Sequence, residues 1–353
     1  MKLQKLHIKN FKSIVDLDIV EPNPFTVFVG PNGSGKSNIF EALELVNLIG
    51  NMSQYKIEDI LGGKESYLPF NSSIDKVEMS FKYEGNVYSY EFPEVPVTTT
   101  VNRIFTPAPT LTPTPVSETE NSKANSTTKA LNNNSISFAK WIVLNFIRLR
   151  SSISIVSNKR GNEQKNYQSS EKLDSLASNL EMVLKRILQD KIKSEEILDW
   201  LGLFIPEFER IEIKSEEING EAKLKIYEKN TKRAFHKHLI SDGTYNILTL
   251  LTAVYQSDEP QFLCIEEPEN GLHPQVIKEL VHFFRDACEE KGHYIWLNTH
   301  SQTLVSQLQP EEIILVNKKK GETIIKQLKN HNMHGLRMDE AWLTAALGGG
   351  LPW

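Results

Sequence analysis

The sequence predicts an α/β fold that carries an antiparallel β layer and a helical subdomain, and three observations lead there. The octapeptide Gly30 to Ser37, GPNGSGKS, follows the apolar run Phe25 to Val29 without a break, and helical periodicity (Ile39, Ala42, Leu43, Val46) opens directly after it. Strand, glycine-rich loop and helix in that order form a phosphate-binding loop. A second apolar run, Phe262 to Ile265, ends in Glu266-Glu267-Pro268. It has the form of a buried strand that delivers two carboxylates at its C-terminal end, where open α/β sheets bind ligands. Residues 3–9 and 15–20 alternate apolar with polar (Leu3, Leu6, Ile8; Val15, Leu17, Ile19), the period of strands with one buried face.

Composition narrows the class. At 353 residues and 39% hydrophobic content the chain can fill two domains or one large domain with insertions. It has no apolar run near the length of a membrane span, and MKLQKLHIKNFKSI lacks the apolar segment and cleavage site of a signal peptide. The expectation is a cytoplasmic chain with no membrane partner. Cys264 and Cys288 are too few and too far apart for a disulfide framework or a zinc site, which fits a reducing compartment. Forty basic against forty-five acidic residues leave a formal charge of −5, which gives no support for an extended nucleic-acid surface while leaving a local basic patch open.

Along the chain, Asn10 to Ser13 reads as a hairpin connection, and Val77 to Phe81 with Val87 to Phe92 reads as a β-hairpin around Glu84-Gly85-Asn86. Residues 96–137 place Pro96, Pro107, Pro109, Pro113 and Pro115 amid Thr, Ser and Asn. That composition cannot bury enough surface to offset the ordering entropy, so a flexible insertion is expected, with partner docking as its functional alternative. After the apolar segment Phe138 to Ile147, the residues Leu173, Leu176, Leu180, Val183, Leu184, Ile187 and Leu188 recur at helical spacing and predict a core-packed helix. Ile211, Ile213, Leu224 and Ile226 flank Asn219-Gly220 and suggest another hairpin. The expected divisions are an N-terminal lobe at 1–95, the insertion at 96–137, a helical and β subdomain at 138–234, a C-terminal lobe at 235–330 and a tail at 331–353.

The chemistry follows from the residue types. Gly30, Gly33 and Gly35 let the backbone turn tightly and aim N–H groups inward, and the helix N-terminus behind them attracts anions. Lys36 reaches the β/γ-phosphates of ATP or GTP and the Ser37 hydroxyl binds Mg²⁺. Glu266 can hold the same ion, and Glu267 can orient or deprotonate the attacking water. His300, after the short strand Tyr294 to Asn298, can donate a hydrogen bond to developing phosphoryl charge. Ser241 and Gly243 before a helical pattern (Ile247, Leu248, Leu251, Val254) read, alone, as a generic N-cap.

The order of the P-loop, ISDGT, FLCIEEPENGLHP and NTHS resembles the ATP-binding cassette (ABC) type of ATPase head. Within that group it is similar to the SMC, RecF-like and OLD (overcoming lysogenization defect) ATPases, often described in bacteria as AAA-family ATPases. The resemblance covers residues 1–95 and 235–330. It implies an ABC-type head that binds ATP and Mg²⁺ through Asn32, Gly33, Ser34, Gly35, Lys36, Ser37 and Asn38, with Glu266 as Walker B carboxylate and Glu267 as catalytic base. It also implies a signature at Ser241, Asp242, Gly243 and Thr244 that meets the γ-phosphate held by a partner's P-loop, hence a homodimer or higher oligomer. Asn270, Gly271, Leu272 and His273 resemble the D-loop, His300 the switch histidine, and Lys12 a basic nucleotide contact of the SMC-like branch.

Glu266 stands where most ABC ATPases have Asp, and His273 where many D-loops have Asp; both are familiar from the OLD-like branch. No Q-loop glutamine can be assigned between residues 50 and 95, long heptad arrays are absent, and the stretch after residue 330 is too short for the TOPRIM nuclease of OLD proteins. The leading expectation is therefore a Mg²⁺-dependent ATPase that dimerises on ATP and gates a separately encoded nuclease or toxin in anti-phage defence. The alternative is a RecF- or SMC-like repair ATPase with DNA as its partner. A non-hydrolysing switch is disfavoured by Glu267 and His300, and ABC transport by the lack of an LSGGQ-like signature.

Overall fold

Every residue of Phe25–Val29 is buried, because a parallel strand covered on both faces has no solvent side. This strand lies inside the central sheet of the computed structural model, which describes residues 2–69, 76–93, 141–142, 145–150, 169–215, 222–329 and 337–343. The expected insertion at 96–137 and the Asn219-Gly220 turn lie outside the described residues, as does most of the tail at 331–353.

The elements run β1 (Leu3–Phe11), β2 (Ile14–Val20), β3 (Phe25–Val29), α1 (Lys36–Asn51), α2 (Gln54–Leu61), β4 (Val77–Tyr83), β5 (Asn86–Phe92) and β6 (Phe146–Leu149). They continue with α3 (Leu180–Ile187), α4 (Lys191–Phe204), β7 (Phe208–Ser215), β8 (Ala222–Glu228), β9 (Phe235–His236) and α5 (Asp242–Tyr255). The last third holds β10 (Phe262–Glu266), α6 (Pro274–Lys291), β11 (Tyr294–Thr299), α7 (Gln302–Val305), β12 (Ile313–Lys319), β13 (Glu322–Gln327) and α8 (Met338–Leu343).

The central six-stranded sheet has the order β13-β12-β3-β11-β10-β6, parallel throughout except for the antiparallel β12–β13 pair at its edge. Its register lines up the functional ends: Val29 pairs with Thr299, Asn298 with Glu266, and Ile265 with Leu149. Side chains alternate across it. Val27, Val29, Leu263 and Ile265 face the core under α3, α5 and α6, whereas Phe28, Phe262, Cys264 and Trp296 face α1 and the antiparallel layer. That layer, β2-β1-β4-β5, is four-stranded, and Phe28 meets Phe40 of α1 edge-on at 5.5 Å, a favoured aromatic geometry. A third sheet, β7-β8-β9, sits beside α3 and α4. The segment from residue 138 thus contributes β6 to the central sheet as well as helices and strands outside it.

Two local expectations are corrected. The Leu173 to Leu188 stripe is helical only from Leu180. Asp174 Oδ1 accepts from the N–H groups of Leu176 at 2.9 Å and Ser178 at 3.0 Å, and Ala177 has a φ of 49°, so local side-chain bonding closes turns instead. Leu173 and Leu180 are buried in the core all the same. In the β4–β5 hairpin Asn86 belongs to the strand, paired with Tyr83, and the loop is Glu84-Gly85 with φ of 47° and 81°, the pair of left-handed residues that suits the twist of a tight hairpin. Among the described residues no helix is long and apolar enough to cross a membrane.

Candidate nucleotide site

The P-loop leaves β3 and is braced from far away in the sequence. Gly35 has a φ of 100°, and a Cβ there would lie 2.0 Å from Thr323 Oγ1, so only glycine fits. The Thr323 hydroxyl donates to Ser34 O at 3.1 Å, which leaves its oxygen to accept from Ser13 Oγ at 2.6 Å. Ser13 Oγ in turn accepts from Asn38 Nδ2 at 2.7 Å. This relay ties the β1–β2 turn, the loop and β13 together. Lys36 is buried and donates to Gly30 O at 2.7 Å and Pro31 O at 3.0 Å. Burial pushes its pKa down, and the charges of Glu267 and Glu269 oppose that shift.

Glu266 ends β10 with its Oε1 held by Arg148 of β6, through Nε at 2.8 Å and also through Nη2. Arg148 Nη1 donates to Glu44 at 2.5 Å and Nη2 reaches Glu41 at 3.3 Å, so one buried guanidinium joins α1, β6 and β10. Burial raises the Glu266 pKa and Arg148 opposes the rise. Both Arg148 bonds fall on Oε1 rather than Oε2. Lys12 pairs with Glu41, one side chain away from the acidic group rather than on the P-loop itself.

Glu267 has a φ of 47°, a conformation that non-glycine residues adopt mainly where surroundings impose it. Its N–H is held by Asn298 O at 3.0 Å and Asn298 Oδ1 at 3.1 Å. Its carboxylate accepts from Asn270 Nδ2 at 2.8 Å and lies 3.4 Å from His300 Nδ1. Asn298 also places Nδ2 3.4 Å from Ser37 Oγ. Ser37, Glu266, Glu267 and His300 are thereby gathered around Asn298 at the aligned strand ends, with Lys36 facing Glu267.

Ser241 caps α5, its Oγ accepting from Thr244 N at 3.1 Å while it donates to Thr244 Oγ1 at 2.8 Å. Its hydrogen bonds stay within its own first turn, and Ser241 is exposed. A Cβ on Gly243 would lie 2.4 Å from Gly271 O, so the backbones of the Ser241–Thr244 and Asn270–His273 turns are in contact. Asn246 Nδ2 fixes that contact by donating to Pro268 O at 2.8 Å and Asn270 O at 3.2 Å. Leu272 packs against the core, and His273 caps α6 by accepting from Gln275 N at 3.2 Å. The Asn270–His273 turn therefore touches Glu267 through Asn270 and the Ser241–Thr244 turn through Gly271.

Arg148, Asn246, Glu269, Asn298 and Thr323 were not singled out by the sequence. Asn298 and Glu269 sit inside the NTHS and EEPEN motifs and could have been weighed there. Arg148 and Thr323 carry no local signal, since their partners are brought together only by the sheet.

The residues fit a Mg²⁺-nucleotide. The buried Ser34 hydroxyl has no protein partner among the described residues, Gly33 has open space beyond its Cα, and the Ser37 hydroxyl with Oε2 of Glu266, the oxygen Arg148 does not hold, is a hard-oxygen donor set.

The family described as "AAA domain, putative AbiEii toxin, Type IV TA system" matches residues 25–306. The chain belongs to that family. In parts it is similar to SMC and RecF proteins, and it shares the fold of an SMC head. Over 55 residues, 16% of this chain, it is 49% identical to the chromosome partition protein Smc of Methanocaldococcus jannaschii. Over 92 residues, 26% of this chain, it is 28% identical to the DNA replication and repair protein RecF of Leptospira biflexa. The alignments span 4% and 23% of those proteins' lengths. An SMC head crystallised with the C-terminal winged-helix domain of ScpA is similar in fold, with a TM-score of 0.56 at 14% identity across 94% of this chain and 99% of that one.

Proposed function

We propose that this AAA-domain ATPase hydrolyses ATP with Mg²⁺ at composite sites of a homodimer and uses that cycle to gate a separately encoded nuclease or toxin in anti-phage defence. The observation that carries the hydrolytic part is the restraint on Glu267: Asn298, Asn270 and His300 fix its backbone and both carboxylate oxygens beside Lys36, Ser37 and Glu266. Glu267 accepts a proton from the attacking water, and His300 donates toward the charge that builds on the transferred phosphoryl group. Lys36 exchanges its two carbonyl partners for phosphate oxygens. Ser37 and Glu266 would hold Mg²⁺, which would supply charge neutralisation at the phosphates.

The Ser241–Thr244 turn, exposed at Ser241 and in backbone contact with a D-loop that also reaches Glu267, supports a partner subunit's P-loop as its target. The toxin–antitoxin system named in the family description motivates the toxin part of this reading. Sizing with light scattering is expected to show a monomer that becomes a dimer with ATP and Mg²⁺, and the dimer, retrieved from native cells, to hold a stoichiometric nuclease or toxin. A chain that stays monomeric at saturating ATP contradicts the composite site. One that dimerises with no protein effector leaves the second reading, a RecF- or SMC-like DNA-binding ATPase. An exposed basic run (Lys229, Lys232, Arg233, His236, His238) just ahead of Ser241 favours that reading, and DNA affinity that falls steeply with salt would mark it.

A further inference from the structure

Glu269 is a third carboxylate of the loop after β10, and the chemistry above makes no use of it. The residue is 7% exposed. One oxygen, Oε1, accepts from the Thr299 hydroxyl, whose own oxygen accepts from Ser301 N at 2.9 Å. Those two bonds bracket His300, which lies 3.4 Å from Glu267. The other oxygen, Oε2, is buried and has no hydrogen-bond partner among the described residues. A carboxylate shut off from water with one oxygen unsatisfied strongly disfavours its charged form. The charged groups that face it are Glu267 from its own loop and Lys36 from the start of α1, and the backbone N–H of His300 points at it. Burial dominates and pushes the Glu269 pKa up to about 7, against the pull of the Thr299 hydroxyl.

We propose that Glu269 is a positioning residue for hydrolysis that works in its neutral form: its carboxyl group holds Thr299, and through it the Thr299–Ser301 turn, so that His300 is set against Glu267. The inference rests on the hydrolytic reading above. A neutral Glu269 keeps the turn anchored without placing a second negative charge beside Glu267, and it leaves Lys36 free for phosphate. Negative charge brought by a polyphosphate reinforces the neutral state.

Glu269→Ala and Glu269→Gln separate this role from a bland structural one. In Glu269→Ala, kcat should drop about tenfold or more, while affinity for a fluorescent ATP analogue stays within about twofold, because P-loop contacts are untouched. Glu269→Gln, which mimics the neutral group, should restore kcat at pH 7 and lose the decline in kcat expected of the unaltered protein as pH rises past about 7.

A second readout needs no turnover. With a folded pKa of about 7 above the ordinary 4.5, the folded state binds the extra proton, so stability falls as pH rises through that window and is level above it. The melting temperature of Glu269→Gln minus that of the unaltered protein should therefore grow between pH 5 and pH 8, by roughly 3–5 °C. Wild-type kcat in Glu269→Ala, a Glu269→Gln protein as slow as Glu269→Ala, or a melting difference that does not change with pH overturns the inference. An unaltered protein without ATP turnover instead sinks the hydrolytic reading, and the melting comparison still reports on Glu269.

Discussion

Lys36→Ala is expected to weaken ATP binding by about a hundredfold or more. The lost ammonium is the one point charge the P-loop places against the β/γ-phosphates, and hydrogen bonds to charged groups contribute about 1.5–3 kcal/mol each. The same substitution should not unfold the protein. Lys36 is buried, its pKa is pushed down by desolvation, and in the free loop it satisfies only the Gly30 and Pro31 carbonyls. Removing a buried charge whose partners sit on a loop edge leaves the core intact, so the melting temperature should be unchanged or higher. Calorimetric titration with ATP, beside a thermal melt, checks both parts; unaltered affinity would refute the P-loop assignment, and a collapsed melt would show that Lys36 is structural.

That loop, the strand ends and the carboxylate pair were legible because each depends on neighbours in sequence: an apolar run fixes a buried strand, and glycines fix the turn that follows it. The bracing around them was not. Arg148 reaches Glu266 only because β6 pairs with β10, and Thr323 reaches Ser34 across 289 residues because β12 pairs with β3 and carries β13 with it. Neither pairing leaves a periodic trace at Arg148 or Thr323. The helix α4 escaped notice because Lys191–Phe204 buries only Ile197, Leu201 and Phe204, too narrow a stripe to stand out from its polar surroundings. Leu173 and Leu176 misled in the opposite direction: helical spacing was present, but Asp174 offered the backbone N–H groups a competing acceptor.

Glu267→Gln should keep ATP affinity and lower turnover by about a hundredfold to ten-thousandfold, the usual worth of a positioned general base. The amide preserves shape and can still meet Asn270 and His300, while the basicity that draws a proton from water is gone. Because the backbone of Glu267 is set by two bonds to Asn298, the substitution should not shift the loop. The protein should accumulate as a long-lived dimer with bound ATP, seen as a doubled mass by light scattering after excess nucleotide is removed. Turnover at the unaltered rate would move the base elsewhere.

The central claim is that the Ser241–Thr244 turn of one subunit completes the site on its partner's P-loop, and mixing two inactive variants tests it most directly. Ser241→Arg puts a bulky side chain at the exposed start of this turn and should leave nucleotide binding by the monomer intact; Lys36→Ala removes the loop's charge. In a heterodimer of the two, one site combines both lesions and the other is wholly unaltered. ATPase activity should return on mixing, toward about a quarter of the unaltered rate at equal amounts if subunits pair at random and one intact site turns over alone. Should heterodimers be present by native mass spectrometry and no mixing ratio recover activity, or should Ser241→Arg alone turn over normally, the arrangement in trans is contradicted.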